Sequence, residues 1–252
     1  MHLLLTNDDG ISSHLLQLLC RAAGARGHHV TVAAPATQQS AKSHAFTVFT
    51  PLMVRPVEME GAAAAWAVEG TPVDSCRLGL MALADTPVDL VISGINYGYN
   101  VGLATYVSGT VGAAREAAFQ KVPAIAASCE PWTPEETQVW FADYVVRTAE
   151  RLIDYAAPEL SVCNVNAPPI PVSQLKAPVM ATLNRNIYHD EYERRESPRG
   201  GSYFWLKPIM VDDAPTPGGD QDMLNQGHVT VTFLTPEGCD QQDYCDFPVP
   251  LF

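Results

Sequence analysis

Two adjacent carboxylates, Asp8 and Asp9, follow three leucines near the start of the chain. An unbroken apolar run of this kind is typical of a strand buried in a parallel sheet. In such sheets, ligands bind at the carboxyl ends of the strands. Two acids at one sheet edge repel each other, and a divalent cation that prefers oxygen ligands, such as Mg²⁺ or Mn²⁺, would compensate them. The alternative is structural: one acid caps the following helix and the other is solvated.

Two further polar stretches follow predicted strands. The strand over residues 30–34 leads into a loop that contains Ser40, and the strand over 89–93 leads to Asn96. Because parallel strands end at a shared edge, we expect this hydroxyl and this amide beside the two acids. An all-oxygen set suits Mg²⁺ or Mn²⁺, whereas zinc and copper favour nitrogen or sulfur. Taken singly, Ser40 and Asn96 are more often residues that cap loops.

A third polar segment, Ser108-Gly109-Thr110, precedes a helix predicted over residues 111–119. Free backbone N–H groups and the helix dipole favour a phosphate at such a position. The alternative is that Ser108 and Thr110 are helix N-caps. A cation beside a phosphate site indicates phosphoryl chemistry, because the metal polarises a phosphoryl oxygen and lowers the pKa of water.

The composition narrows the class of protein. The chain has 252 residues, 47% of them hydrophobic, and a formal net charge of −13. This charge argues against non-specific binding to a nucleic-acid polymer or an anionic membrane. The six cysteines are scattered without a CxxC pair, and there is neither a secretory leader nor a long apolar run. We therefore expect a cytoplasmic protein with reduced thiols and no zinc–cysteine site.

Strand and helix patterns alternate over residues 1–167 and predict a Rossmann-like α/β body, with a mostly parallel sheet and helices on both faces. Residues 168–236 predict a β-rich extension that packs on another subunit, and 237–252 a poorly specified tail. A side hairpin is expected from segments 46–49, 53–54 and 66–68. The predicted strands are 3–5, 30–34, 89–93, 122–128, 160–165, 203–206 and 229–234; the predicted helices are 15–25, 73–84, 111–119 and 135–157.

At these motifs the chain resembles the SurE survival proteins, a family of metal-dependent nucleotidases. The resemblance covers most of residues 1–234, and NDDG together with SGIN is its most specific part. Ala41 stands where many members carry glycine, Ala36-Thr37 replace an Asp-Arg pair, and His228 stands where tyrosine is common. The motifs that carry the resemblance are LLLTNDDG (3–10), VAAPATQQSAKSH (32–44), GTPVD (70–74), DLVISGINYGYN (89–100) and SGTVGAA (108–114).

The resemblance implies one divalent metal ion per subunit, Mg²⁺ or Mn²⁺ or also Co²⁺, held by Asp8, Asp9, Ser40 and Asn96. It implies that Asp8 and Asp9 are catalytic and that Asn96 and the segment Ser108, Gly109 and Thr110 contact the phosphate. The implied reaction is hydrolysis of nucleoside 5′- and 3′-monophosphates, and also of short polyphosphate. The implied fold is a Rossmann-like body whose C-terminal β extension is exchanged between subunits of a homodimer or homotetramer.

Two other functions are compatible with parts of this sequence. In an aspartyl-phosphate phosphatase Asp8 would be a covalent nucleophile, but those enzymes usually carry an acid two residues later, where this chain has Gly10. A nucleotide-binding or regulatory module without hydrolysis could use the same sheet. The first strand–helix turn lacks a G-x-G-x-x-G fingerprint, however, and its acids would repel a pyrophosphate unless a metal intervened.

Overall fold

The computed structural model describes residues 1–185, 189–209 and 215–236. Its strands are β1 (His2–Thr6), β2 (His29–Pro35), β3 (Val54–Val57), β4 (Ala64–Val68), β5 (Leu90–Tyr97), β6 (Ala124–Cys129), β7 (Val162–Ala167), β8 (Lys176–Met180), β9 (His189–Glu196), β10 (Ser202–Ile209) and β11 (His228–Leu234). The α-helices are α1 (His14–Ala25), α2 (Pro72–Leu78), α3 (Ala104–Val107), α4 (Gly109–Phe119), α5 (Glu135–Leu152) and α6 (Asp220–Asn225).

Nine strands form one sheet in the order β3-β4-β2-β1-β5-β6-β7-β11-β8. The neighbours from β4 to β7 all pair in parallel. Strand β3 is antiparallel to β4, β11 is antiparallel to β7, and β8 is parallel to β11. This mostly parallel sheet with its helices confirms the predicted α/β fold. No helix within the described residues is long and apolar enough to cross a membrane.

The central strand β1 explains why both faces of the sheet are covered. All five of its residues are buried, and successive side chains point to opposite faces. Leu3 and Leu5 pack in a core with α1 and α5, whereas Leu4 packs in a second core with α2 and α4. The unbroken leucine run is therefore required by burial on two sides.

Three predicted elements differ from the observed ones. The helix predicted over 73–84 is α2 followed by a π-helical turn, Gly79–Leu83. The helix predicted over 135–157 ends at Leu152, and the segment 46–49 forms no strand. In that segment the carboxylate of Asp74 accepts hydrogen bonds from the backbone N–H and the hydroxyl of Thr47, at 2.7 and 2.8 Å. The Asp74 side chain thus occupies the backbone N–H of Thr47, which a strand would need for hydrogen bonds to its neighbour in a sheet.

The segment 168–236 contributes to two sheets. Strands β8 and β11 extend the main sheet, whereas β9 and β10 form a separate antiparallel hairpin. Aromatic side chains of this hairpin are exposed, including Phe204 at 59% and Trp205 at 60%. The boundary at residue 167 and the exchange between subunits stay predictions. The tail 237–252, with Cys239 and Cys245, lies outside the described residues; the described cysteines are free and buried.

Candidate functional site

Strands β1, β2 and β5 end side by side. Leu5 pairs with Val32 of β2 and with Ile92 of β5, and all three strands run in parallel. The polar segments after these strands therefore meet at one edge of the sheet, as the sequence predicts.

The turn after β1 presents the two carboxylates in a fixed geometry. The side chain of Asn7 accepts a hydrogen bond from the N–H of Gly10 and donates one to its carbonyl, at 3.1 and 3.0 Å. Gly10 has a φ of +96°, and a Cβ there would lie 3.2 Å from the backbone of Thr37. The backbone carbonyl of Asp8 accepts a hydrogen bond from Gln39. This turn needs glycine, and it packs directly on the loop after β2.

Asp8 is buried and bonded to the start of α4. One of its carboxylate oxygens accepts a 2.6 Å hydrogen bond from the hydroxyl of Thr110, and the other accepts the Thr110 N–H at 3.3 Å. Gly109 allows this approach, because a Cβ there would lie 3.1 Å from the carboxylate. Burial raises the pKa of Asp8, and these hydrogen bonds oppose that rise. The partner of Asp8 is thus α4 rather than the helix that follows it in sequence.

Neither carboxylate caps α1, so the structural alternative considered for this pair is wrong. The N-cap position of α1 is Ser13, and no side chain closes a capping hydrogen bond there. Both acids instead turn towards the end of the sheet, where they bond to other elements.

Asp9 joins the other two strand ends. One carboxylate oxygen accepts a 3.0 Å hydrogen bond from the N–H of Tyr97, and the other lies 3.4 Å from the amide nitrogen of Gln38. The same nitrogen donates to the hydroxyl of Ser40 at 3.1 Å. Burial, assisted by the neighbouring charge of Asp8, raises the pKa of Asp9 to about 6. Gln38 therefore connects two of the predicted metal ligands.

Asn96 lies after an irregularity in the pairing of β5 with β6, between Ser93 and Asn96. A break of this kind re-aims the side chains that follow it. The amide nitrogen of Asn96 donates to the carbonyl of Gly98 at 2.7 Å. This hydrogen bond uses the amide nitrogen. A cation would bind the amide oxygen, which this bond does not use.

The donors gathered here fit a hard divalent cation. They are two carboxylates, one hydroxyl and one amide, all offering oxygen. Among the described residues, none of the ion pairs involves Asp8 or Asp9. The hydrogen-bond donors to the two carboxylates, on Thr110, Tyr97 and Gln38, are neutral, and a bound cation would compensate the negative charge.

The segment Ser108–Thr110 has local partners. Ser108 is the N-cap of α4, and its hydroxyl accepts the N–H of Val111 at 3.1 Å. The hydroxyl of Thr110 is fully buried and donates to Asp8. Contact between this segment and a phosphate stays a prediction.

No local sequence pattern indicates which residues hold the Ser40 loop. The buried carboxylate of Glu116 on α4 contacts Nε2 of His44 at 2.9 Å and accepts a hydrogen bond from Arg77 of α2 at 2.7 Å.

The Ser40 loop also packs closely on α4, because a Cβ on Gly112 would clash with the carbonyl oxygen of Ser43. Ala41, where many SurE members carry glycine, has a φ of +58°. The loop is thus pressed against α4, with backbone strain one residue after Ser40.

The segment between β5 and α4 is held by a buried polar network. The backbone carbonyl of Asn100 accepts hydrogen bonds from the side-chain amides of Asn164 and Asn166, and its N–H donates to Asn166. The carboxylate of Asp220, on α6, accepts the N–H of Gly102 at 2.8 Å. No local pattern predicts these partners, because they come from the far end of the chain.

Comparison with known proteins places this arrangement in a family. The family model described as survival protein SurE matches residues 3–190. A protein of Nitratidesulfovibrio vulgaris strain DP4 named 5′-nucleotidase SurE is 40% identical over 234 residues, covering 93% of each chain. One of Gloeobacter violaceus with the same name is 37% identical, covering 93% of this chain and 89% of that one. The SurE crystal structure from Aquifex aeolicus matches with a TM-score of 0.78 and 28% identity, covering 97% of this chain and 96% of that chain. The chain belongs to the SurE family.

Proposed function

We propose that this protein is a metal-dependent nucleotidase, which hydrolyses nucleoside monophosphates to nucleoside and phosphate. The names of its relatives support a 5′-nucleotidase. The observation that carries the proposal is that the segments bearing Asp8, Asp9, Ser40 and Asn96 follow neighbouring strands at one sheet edge. Among the described residues, the two acids there form no ion pair. We include 3′-monophosphates and short polyphosphate among the substrates, as the family resemblance implies.

We further propose that one Mg²⁺, Mn²⁺ or Co²⁺ ion per subunit is held by Asp8, Asp9, Ser40 and Asn96. When bound, this ion supplies polarisation of the phosphoryl group and a lower pKa for the attacking water. The ligand set supports this choice, because all four side chains offer oxygen and these ions accept oxygen ligands.

The chain's own contacts fix the two acids for this reaction. The hydroxyl and N–H of Thr110 hold both oxygens of Asp8, so this carboxylate cannot rotate freely. Asp9 is less buried, and the N–H of Tyr97 fixes one of its oxygens. We therefore assign Asp8 to positioning the phosphoryl group and Asp9 to orienting the attacking water. The positive end of the α4 dipole, beside Asp8, favours the negative charge of the phosphate.

The proposed quaternary structure is a homodimer or homotetramer, built through the β9–β10 hairpin. The exposure of Phe204, Trp205 and Leu206 on this hairpin supports it, because apolar patches of this kind mark interaction surfaces. We propose a cytoplasmic location, supported by four buried free cysteines among the described residues.

The test is phosphate release from a panel of nucleoside monophosphates and p-nitrophenyl phosphate. The protein is assayed in EDTA and again after Mg²⁺, Mn²⁺ or Co²⁺ is restored. We expect release that requires the metal and falls at least 100-fold in Asp9→Asn, by analogy with loss of a preorganised electrostatic group. Asp143→Asn, a matched change in a surface ion pair of α5, should retain full activity. Equal release with and without EDTA would contradict the proposal.

A further inference from the structure

Two histidines and an aspartate meet at the edge of the sheet opposite to the candidate functional site. His2 and His29 are the first residues of the parallel strands β1 and β2, and they pair with each other in register. Asp85 lies in the turn that precedes β5. The length of the strands therefore separates this trio from Asp8 and Asp9, which follow the carboxyl end of β1.

The side chains of this trio are close enough to share one ion. The two imidazole rings have centroids 4.5 Å apart and meet edge to face. Nε2 of His29 lies 2.9 Å from a carboxylate oxygen of Asp85. One ligand atom from each residue lies within 4.8 Å of the other two, and no other such trio of His, Cys, Asp or Glu occurs among the described residues.

The contacts of His2 orient its ring for binding. Its Nε2 lies 2.9 Å from the hydroxyl of Thr31, and its Nδ1 lies 2.8 Å from the hydroxyl of Thr86. When Nε2 carries the proton and donates to Thr31, Nδ1 has a lone pair directed towards Thr86. Outer partners of this kind fix the tautomer of metal-binding histidines. The hydroxyl of Thr86 also lies 3.4 Å from Asp85, which places it between the two ligands.

The trio combines a rigid ligand with two accessible ones. The His2 side chain is buried, and its backbone N–H donates to the carboxylate of Asp89 at 2.7 Å. The side chains of His29 and Asp85 are 40% and 67% exposed. An ion can therefore enter from solvent, and the two exposed side chains can close on it without a change in the core.

We propose that His2, His29 and Asp85 form a second metal site, which binds a borderline divalent transition-metal ion such as Zn²⁺ or Ni²⁺. Two imidazole nitrogens and one carboxylate oxygen suit these ions, with water or the hydroxyl of Thr86 in the fourth position. The ligand chemistry differs from that of the all-oxygen site. A bound ion would join the starts of β1 and β2 to the turn before β5, and would stabilise the folded chain increasingly as the ion concentration rises above Kd.

The test is a Zn²⁺ titration of the untagged, metal-free full chain by calorimetry, with saturating Mg²⁺ present to occupy the all-oxygen site. We expect one equivalent of Zn²⁺ to bind and to raise Tm. His29→Gln and Asp85→Asn should each weaken this binding by at least tenfold, because removal of even an outer partner of a metal ligand costs about that much. His14→Gln, a matched change at an exposed histidine on α1, should bind as the parent does.

Two further measurements keep the outcomes distinct. Circular dichroism should show that both variants fold, because the replaced side chains are exposed. Mg²⁺-supported phosphate release should be unchanged in His29→Gln, so failure of the proposed nucleotidase function would leave this test intact. Zn²⁺ binding that is unchanged in both variants, or that is lost only in Asp9→Asn, would overturn the second site. The trio would then be a hydrogen-bonded group only.

Discussion

The carboxylate of Asp8 and the hydroxyl of Thr110 are joined by a 2.6 Å hydrogen bond across 102 residues of sequence. This bond connects the turn after β1 to the start of α4, and Asp9 makes the corresponding connection to the end of β5. The two neighbouring acids therefore have different structural roles. Asp8 is held by a helix, whereas Asp9 is held by a strand end and by the Gln38 side chain.

Thr110→Val tests the bond to Asp8. The change keeps the shape of the side chain and removes the hydroxyl, so a buried carboxylate loses its shortest hydrogen bond. We expect unfolding free energy to fall by about 1.5–3 kcal/mol and the affinity for Mn²⁺ to fall roughly tenfold, as for other partners of metal ligands. Urea denaturation and Mn²⁺ activation of phosphate release measure the two effects.

Thr148→Val is the control for this prediction, because Thr148 is also buried and its hydroxyl donates to the Tyr144 carbonyl within α5, far from the two acids in sequence. It should alter stability without altering Mn²⁺ activation. If Thr110→Val and Thr148→Val needed the same Mn²⁺ concentration for half-maximal phosphate release, the proposed role of Thr110 would be wrong.

Gly112→Ala tests how α4 positions the Ser40 loop. The added methyl group would clash with the carbonyl oxygen of Ser43, so the loop must move away from the helix. Because Ser40 is three residues from that contact, we expect a several-fold rise in the Mn²⁺ concentration needed for half-maximal activity. Overpacking of this kind also costs about 1–3 kcal/mol of stability.

Gly27→Ala provides the matched control for Gly112→Ala. It introduces a methyl group where nothing lies within 4 Å, at a φ of +80° after α1. Strain alone should reduce its stability, with no effect on metal activation. Equal activation curves for the two variants would show that the loop contact does not position Ser40.

Glu150→Gln tests the packing of α5 on the turn after α1. Arg26 donates to both oxygens of this carboxylate, at 2.9 and 2.7 Å, and these bonds lower the pKa of Glu150. A carboxyl group whose pKa is lower in the folded chain than in the unfolded chain stabilises the fold at pH values above its unfolded pKa of about 4.3. This contribution is lost as the pH falls through the pKa of the folded chain. We expect a loss of up to about 1 kcal/mol at pH 7.

This difference between the parent and Glu150→Gln should approach zero in acid, where both side chains are uncharged. Urea denaturation at neutral and strongly acidic pH measures it, and Glu159→Gln at an exposed position is the control. A difference that does not depend on pH would exclude the ion pair as its cause.

Trp205→Glu tests the proposed assembly through the β9–β10 hairpin. The indole is 60% exposed, and a charge placed in a subunit interface would not be compensated there. We expect the mass measured by light scattering to fall from that of a dimer or tetramer towards that of a monomer. Trp132→Glu, at a tryptophan 69% exposed outside the hairpin, should keep the parent mass. A monomeric parent protein would contradict the proposed assembly.

The sequence predicts the sheet and the meeting of its polar ends well, because both depend on local patterns. The leucine run of β1 has no alternation, which indicates burial on both faces, and strands that end in acids or amides indicate a shared polar edge. The contacts that hold the site come from distant residues instead. Glu116 meets His44 across 72 residues, and Asp220 meets Gly102 across 118.

The sequence predicts the ends of helices less well, for a related reason. Apolar residues continue the helical pattern past Leu152, but Tyr155 packs against Phe233 of β11 and the chain no longer follows α5. The apolar segment at 46–49 resembles a strand, yet Asp74 binds Thr47. In both places a tertiary contact outweighs the local preference.

The most direct test of the central claim is Mn²⁺ binding, measured by electron paramagnetic resonance on the metal-free protein. The account predicts one Mn²⁺ per subunit that Mg²⁺ displaces, with that ion lost in both Asp9→Asn and Asn96→Ala and retained in Asp143→Asn. If the Mg²⁺-displaceable Mn²⁺ persisted unchanged in Asp9→Asn and Asn96→Ala, the acids at the end of β1 would not form the metal site of this protein.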